Sequence, residues 1–282
     1  MEGAGTDRTP ESRKRNRKDH YIPQSFLRGF IDPSRQHLER PLWYLDVPNN
    51  VWSERSPAEV GYRYGFYDYA TTEVDLETAD QTFAELERRF PRICRSLIEG
   101  NFKNWKEHLD FILRYVQMMR SRSLLFFDHM QAEWSKARAL VVQEVLPDGK
   151  SLRVKSLTPD HLPAAFIRNR TIIEMRRETK KGAGWLETFN WCLRYCASPA
   201  MPFVISEIPF ICHGRSSDLA EALQDSETLL FFPLCWQACL IGSRQVFDKE
   251  TDRFQDEDMR RVQEIYRESA NLFLLSPTKL KA

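Results

Sequence analysis

Residues 201–243 decide how the second half of the chain is read: MPFVISEIPFICHG (201–214), RSSDLAEALQDSE (215–227) and TLLFFPLCWQACLIGS (228–243). The outer two pieces are strand-like apolar runs, and the piece between them is polar and reads as helical over 216–225. Glu207 interrupts the first run just before Pro209. That position fits a strand end turning into a loop, where sites are often built; a plain loop role reads equally well.

Working outward, residues from Asp256 onward read as a closing amphipathic helix with Met259, Val262, Ile265, Tyr266 and Leu272 on its buried side. Upstream, 185–196 and 159–179 read as helices, the latter capped by Thr158 before Pro159. Pro147-Asp148-Gly149-Lys150 reads as a turn. Residues 103–146 contain neither Gly nor Pro and read as one long helix or two stacked ones, and 75–98 as a helix bent at Pro91. YRYGFYDY (62–69) is an aromatic link. PLWYLDVPNNVWSER (41–55) reads as a hairpin turning at Asn residues that tolerate positive φ. In HYIPQSFLRGF (20–30), Pro23 suits a first helical turn and Gly29 an early stop. These elements predict an α+β fold, predominantly helical, with a small β-sheet in which the hairpin at 42–53 joins segments 203–212 and 228–242. Residues 1–18 read as a disordered basic arm and 19–282 as a single globular domain.

The composition narrows the function classes. The chain has 282 residues with 41 Lys+Arg against 40 Asp+Glu, so a whole-surface argument for nucleic acid fails and any cationic contact must be local. The run Arg13-Lys14-Arg15-Asn16-Arg17-Lys18 supplies one: a phosphate-contacting arm, or a plain solvated tail. No apolar run approaches the roughly 18 residues of a membrane span, and MEGAGTDRTPESRKRNRKDH lacks the apolar core of a secretory signal. The expected setting is cytoplasmic. Phosphate loops, dinucleotide fingerprints, hydrolase elbows and zinc-protease helices are all missing from the sequence. The pairs Cys192/Cys196 and Cys235/Cys239 lie in apolar segments and read as small hydrophobes packed inward, in preference to a zinc site completed by His213.

Polar residues stand where the helical pattern wants apolar ones. Around Leu113, the apolar stripe of Leu109, Val116 and Leu124 also holds Gln117 and Arg120. Around Phe83, the stripe of Leu76, Phe90, Cys94 and Leu97 holds Glu87, with Asp80 on its flank. A buried arginine needs a partner, so Arg120 is expected to pair with Glu87, or failing that with Glu207. The pair is a structural lock, or part of a ligand pocket, because buried ionisable groups also cluster at functional sites, or one helix is rotated and these groups are solvated. His20, where the arm meets the fold, reads as a cap or a surface residue or, more sharply, as a general base or metal ligand.

These residues carry a resemblance. HYIPQSFLRGF (20–30), GFYDY (65–69), DQTFAELE (80–87), QMMR (117–120) and PFVISEIPF (202–210) occur in the order seen in the family of domain of unknown function 4238. The opening motif resembles its His-x-x-Pro-x-x-Tyr/Phe-Leu-Arg-x-Phe pattern at His20, Pro23, Phe26, Leu27, Arg28 and Phe30. The later one resembles its Pro-Phe-x-x-Ser-Asp-x-Pro pattern, with Glu207 in place of the aspartate. Asp80 likewise stands where a glutamate is expected. The resemblance implies no activity; it groups His20, Glu87, Gln117, Arg120 and Glu207 as one set.

Two functions follow as expectations. In the first, the protein is a hydrolase acting on a phosphodiester in nucleic acid, metal-dependent if Asp80, Glu87 and Glu207 hold a divalent cation. There His20, Glu87, Arg120 and Glu207 are catalytic, Arg28 and Gln117 bind substrate, and the basic arm guides the polyanion. In the second, the protein is a non-enzymatic binding or scaffold protein whose Arg/Glu core pair is structural. The enzyme reading requires His20, Glu87, Arg120 and Glu207 to line one cleft.

Overall fold

A computed structural model describes residues 17–68, 79–136, 140–145, 152–157, 164–196, 200–215 and 219–280. The elements in chain order are β1 (Lys18–His20), α1 (Gln24–Leu27) continued by a 3-10 turn (Arg28–Phe30), β2 (Leu42–Asp46), β3 (Val51–Arg55), β4 (Tyr62–Tyr64), α2 (Ala79–Glu99), α3 (Leu109–Ser121), α4 (Leu124–Lys136), β5 (Leu140–Val145), β6 (Leu152–Leu157), α5 (Ala164–Lys180), β7 (Asn190–Tyr195), β8 (Ile205–Ser206), β9 (Ile211–His213), α6 (Leu219–Ala222), β10 (Leu229–Cys235), β11 (Ala238–Ser243), β12 (Thr251–Arg253), α7 (Asp256–Ser269) and β13 (Phe273–Ser276).

The expectation of a predominantly helical fold with one small sheet is overturned. Strands form a five-stranded sheet in the order β12-β7-β11-β10-β9, a four-stranded sheet β3-β2-β13-β8, and the two-stranded ribbons β1-β4 and β5-β6. Three misreadings account for this. Freedom from Gly and Pro does not make residues 140–145 helical: the run LVVQEV is β-branched, and it pairs antiparallel with β6. Residues 190–195 are a strand, held between β11 and parallel β12. The closing helix ends at Ser269, leaving Leu272 exposed, and the chain returns as the fully buried β13 at the middle of the four-stranded sheet.

The hairpin at 42–55 does share a sheet with residues 205–206, through β13. Residues 229–243 are strands as expected, but they belong to the five-stranded sheet. The helix over Ala79–Glu99 contains Pro91. Residues 109–136 are two helices because Ser123 breaks them, its Oγ accepting the Phe126 N–H at 3.1 Å as an N-cap would. The arm at 1–16, the Thr158 cap and the turn at 147–150 lie outside the described residues.

Helices and sheet meet in an aromatic centre. Phe26 of α1 packs on Phe90 of α2, Tyr115 of α3 and Phe232 of β10, with ring centroids 5.6–6.1 Å apart. Phe90 and Tyr115 stack at 3.8 Å. The opening motif is therefore the wedge between the helical layer and the five-stranded sheet. Cys192, Cys196, Cys235 and Cys239 are buried free thiols, as expected of small hydrophobes, and burial raises Cys192 and Cys235 to about 12. One glycine is required nearby: Gly61 sits at φ +64°, and a Cβ there would stand 2.9 Å from Ile22 Cβ.

The Tyr115 hydroxyl is buried without a hydrogen-bond partner among the described residues. Removing an unpaired buried polar group relieves its desolvation penalty. Urea unfolding of Tyr115→Phe should thus show equal or higher stability, by up to about 1 kcal/mol. Phe232→Ala should lose about 3–5 kcal/mol. A clear loss in Tyr115→Phe would mean that the hydroxyl has a partner.

Candidate functional site

The buried cation is Arg122, not Arg120. On an ideal wheel Arg122 lies opposite Leu113 and reads as solvated. The face opposite Leu113 is buried as well, however, by Phe111, Tyr115 and Met118, and Arg122, the helix C-cap, continues it. Its side chain turns inward and is 2% exposed. Nε donates to Tyr67 Oη at 3.0 Å, Nη1 donates to Glu87 Oε1, and Nη2 donates to the His20 carbonyl. The guanidinium also lies 4.7 Å from the Phe83 ring. Burial is the largest influence and disfavours the charge, but Tyr67 and Glu87 together outweigh it and raise the pKa. Beside this hub, buried Asp19 accepts from Arg17 Nε at 2.7 Å and from the Tyr67 backbone N–H at 3.0 Å.

Arg120 is partly exposed and pairs with Glu178 of α5 at 3.5 Å, rather than with Glu87 or Glu207. Gln117 is buried beside it. Its amide donates to the Glu178 carbonyl at 3.2 Å, and its Oε1 accepts from Trp185 Nε1 at 2.9 Å and from Arg120 Nε at 3.4 Å. Arg120 also lies 5.4 Å from the Trp185 ring. Burial lowers its pKa, and Glu178 only partly restores it.

Glu207 directly follows β8, the strand end that the sequence indicated. Its carboxylate accepts three backbone N–H groups, from Asn271 at 2.6 Å, Leu272 at 3.1 Å and Phe273 at 3.2 Å. It thereby ties the β8 end to the start of β13. Arg28 is exposed, and Asp80 lies in the first turn of α2, where only the backbone is described. His20 and Glu87 thus meet at Arg122, Gln117 and Arg120 meet at Glu178, and Glu207 serves a third network. No three His, Cys, Asp or Glu side chains are grouped to hold a metal among the described residues. Glu87 is held by Arg122, and Glu207 by the backbone at the start of β13.

His20 is half-buried, and its Nε2 has no hydrogen-bond partner among the described residues. Burial is the main cause that lowers its pKa below the ordinary 6.5. Arg122 and Lys18 add to the shift, while the Ala58 carbonyl and Glu87 oppose it. The imidazole is neutral near pH 7. In the β1-β4 ribbon, His20 is opposite Tyr62 and Lys18 opposite Tyr64, so all four share one face. Lys18 and Tyr62 also line a cleft of about 660 Å³, walled by Tyr21, Tyr44, Arg55 and Phe273.

Over residues 18–272 the chain matches the family described as Protein of unknown function (DUF4238). It belongs to that family. No curated protein and no solved structure matches it. In this DUF4238 chain the opening motif serves both the aromatic wedge and, through the His20 carbonyl, the Arg122 hub. No helix among the described residues is long and apolar enough to cross a membrane. The functional residues that sequence reasoning passed over are Arg122, Glu178, Trp185 and Asp19. Only Asp19, an acid beside a basic run and next to His20, carried a local signal.

Two outcomes test these networks. Arg122→Ala should cost about 3–5 kcal/mol in chemical denaturation, because it strips a buried pair and a buried carbonyl at once. Arg120→Ala should cost only about 1–2 kcal/mol, the scale of a part-exposed pair with a cation–π contact. Equal costs would reject the assignment of Arg122 as the hub.

His20 gives a pH signature. Its folded pKa is depressed, so below pH 6.5 the unfolded chain takes up the proton more readily than the folded one. Stability contributed by neutral His20 is full above that pH and falls as the pH drops. The melting temperature of His20→Asn should therefore fall less steeply than that of the native chain between pH 6.5 and 5. Parallel curves would remove this linkage.

Proposed function

We propose that this DUF4238 chain is a non-enzymatic nucleic-acid-binding protein whose ionised interior is structural. The observation that carries the reading is Lys18: the last cation of the sequence run 13–18, it is exposed in β1 and stands at the cleft beside Tyr62. Lysine and arginine contacts to phosphates supply affinity that is independent of sequence and sensitive to salt. The interior fits the structural role because its charges are engaged by protein groups. Three nitrogens of Arg122 and both oxygens of Glu207 hold bonds to tyrosine, glutamate and backbone.

Phosphodiester hydrolysis has one observation in its favour. His20 Nε2 is buried and unpartnered among the described residues, near Glu87, in the neutral form that a general base requires. In that reading His20 takes a proton from water and the exposed Arg28 steadies phosphate.

Fluorescence anisotropy of the full chain with labelled oligonucleotides at a series of salt concentrations tests the binding reading. Replacing Arg13, Lys14 and Arg15 by Ala should reduce the slope of log affinity against log salt by about 2. An unchanged slope rejects the arm as the contact. Incubating the same strand separates the second reading, since cleavage that disappears in His20→Ala would replace simple binding by hydrolysis.

A further inference from the structure

The face of the β1-β4 ribbon is built of rings. Tyr62 lies 5.6 Å from His20 and 5.5 Å from Tyr64, the latter contact edge-on at 83°. Lys18 Nζ stands 4.3 Å over the Tyr62 ring. Tyr64 is 59% exposed, and it is the one aromatic among the exposed large apolar side chains of the described residues. The Tyr62 contact braces this ring edge-on, while most of its surface stays open. It presents a rigid flat surface to solvent.

The adjoining cleft carries two cations and two acids. Lys18 and Arg55 line it, with the Arg55 guanidinium 5.5 Å from the Tyr44 ring. Its two acids are engaged elsewhere: Asp46 accepts the Asn49 backbone and side-chain N–H groups at 3.1 and 3.0 Å, and Glu59 pairs with Arg40 at 2.9 Å. Its volume of about 660 Å³ falls within the range of about 300–1,000 Å³ usual for ligand clefts.

We propose that this ribbon face and cleft bind single-stranded nucleic acid, with an unpaired base stacked on Tyr64 and the adjacent phosphates held by Lys18 and Arg55. This rests on the nucleic-acid reading above and narrows it to one substrate class. A flat ring beside fixed cations matches a base beside its phosphates, and every base offers a π-face, so the contact tolerates any sequence. A duplex keeps its bases stacked inside and offers this face only phosphate.

The full chain is titrated against a labelled single-stranded 12-mer, the same strand made abasic, and a duplex of equal length. The intact single strand should bind most tightly. Tyr64→Ala should weaken that complex by about five- to a hundredfold, the usual loss of one stacked base, while Tyr64→Phe keeps it. Affinities for the abasic strand and the duplex should hardly change in either variant. Exposed Leu125→Ser on α4 is the control that leaves all three complexes intact, and matched melting temperatures exclude a folding defect. Equal affinity for intact and abasic strands, or an intact complex in Tyr64→Ala, overturns the stacking proposal and leaves the arm-based reading standing. No salt-dependent binding to any of the three overturns both.

Discussion

The Arg122 guanidinium joins parts of the chain that sequence keeps far apart. It reaches from the end of α3 to Glu87 on α2, to Tyr67 after β4 and to the His20 carbonyl in β1. A charge this deep persists only if its hydrogen bonds are made, and making them fixes how the N-terminal ribbon sits on the helices. The aromatic wedge of Phe26 against Phe90, Tyr115 and Phe232 supplies the apolar burial next to it. Dispersion between rings tolerates sliding, whereas an arginine fork with three acceptors does not. The hub therefore supplies orientation and the wedge supplies most of the burial.

That division of labour separates interior from surface. The carboxylates and arginines that invite a catalytic reading bond to protein groups: Glu207 to three amides, Arg120 to Glu178 and Gln117, and Glu87 to Arg122. The groups left at the surface are of another kind: Lys18, Tyr62 and Arg55 line one cleft, with exposed Tyr64 on the same ribbon face. His20 stands at the boundary, its backbone in the hub and its ring on the ribbon face. A proton on His20 would add a third positive charge near Arg122 and Lys18, so acid should loosen the ribbon at the point where it meets both interior and cleft.

How legible the site was depends on how local each signal is. Glu207 at a strand end, buried Gln117, Glu87 as an arginine's partner and the inward cysteines could all be read, because each breaks or keeps a short-range pattern. Arg122 could not, because α3 is buried on the face opposite Leu113 as well, and only packing across the fold decides that. Tyr62 and Tyr64 looked like part of a link because a three-residue strand has no periodicity to detect, and its partner β1 lies more than 40 positions earlier. Residues 190–195 carried a pattern read as helical that their neighbours β11 and β12 made a strand.

The sequence by itself determined membership of the DUF4238 family, the helical character of 79–99 and 109–136, the hairpin at 42–55, the strands at 205–206 and 229–243, and the local cationic run. Each of these is set by spacing, composition or motif within a few turns of chain. Only the tertiary structure decided that the described strands form two substantial sheets, that β13 lies at the middle of one of them, and that Arg122 rather than Arg120 takes Glu87. Strand order and ion pairing are choices among distant partners of similar local propensity. They are settled by which arrangement buries the apolar faces while leaving each buried charge bonded.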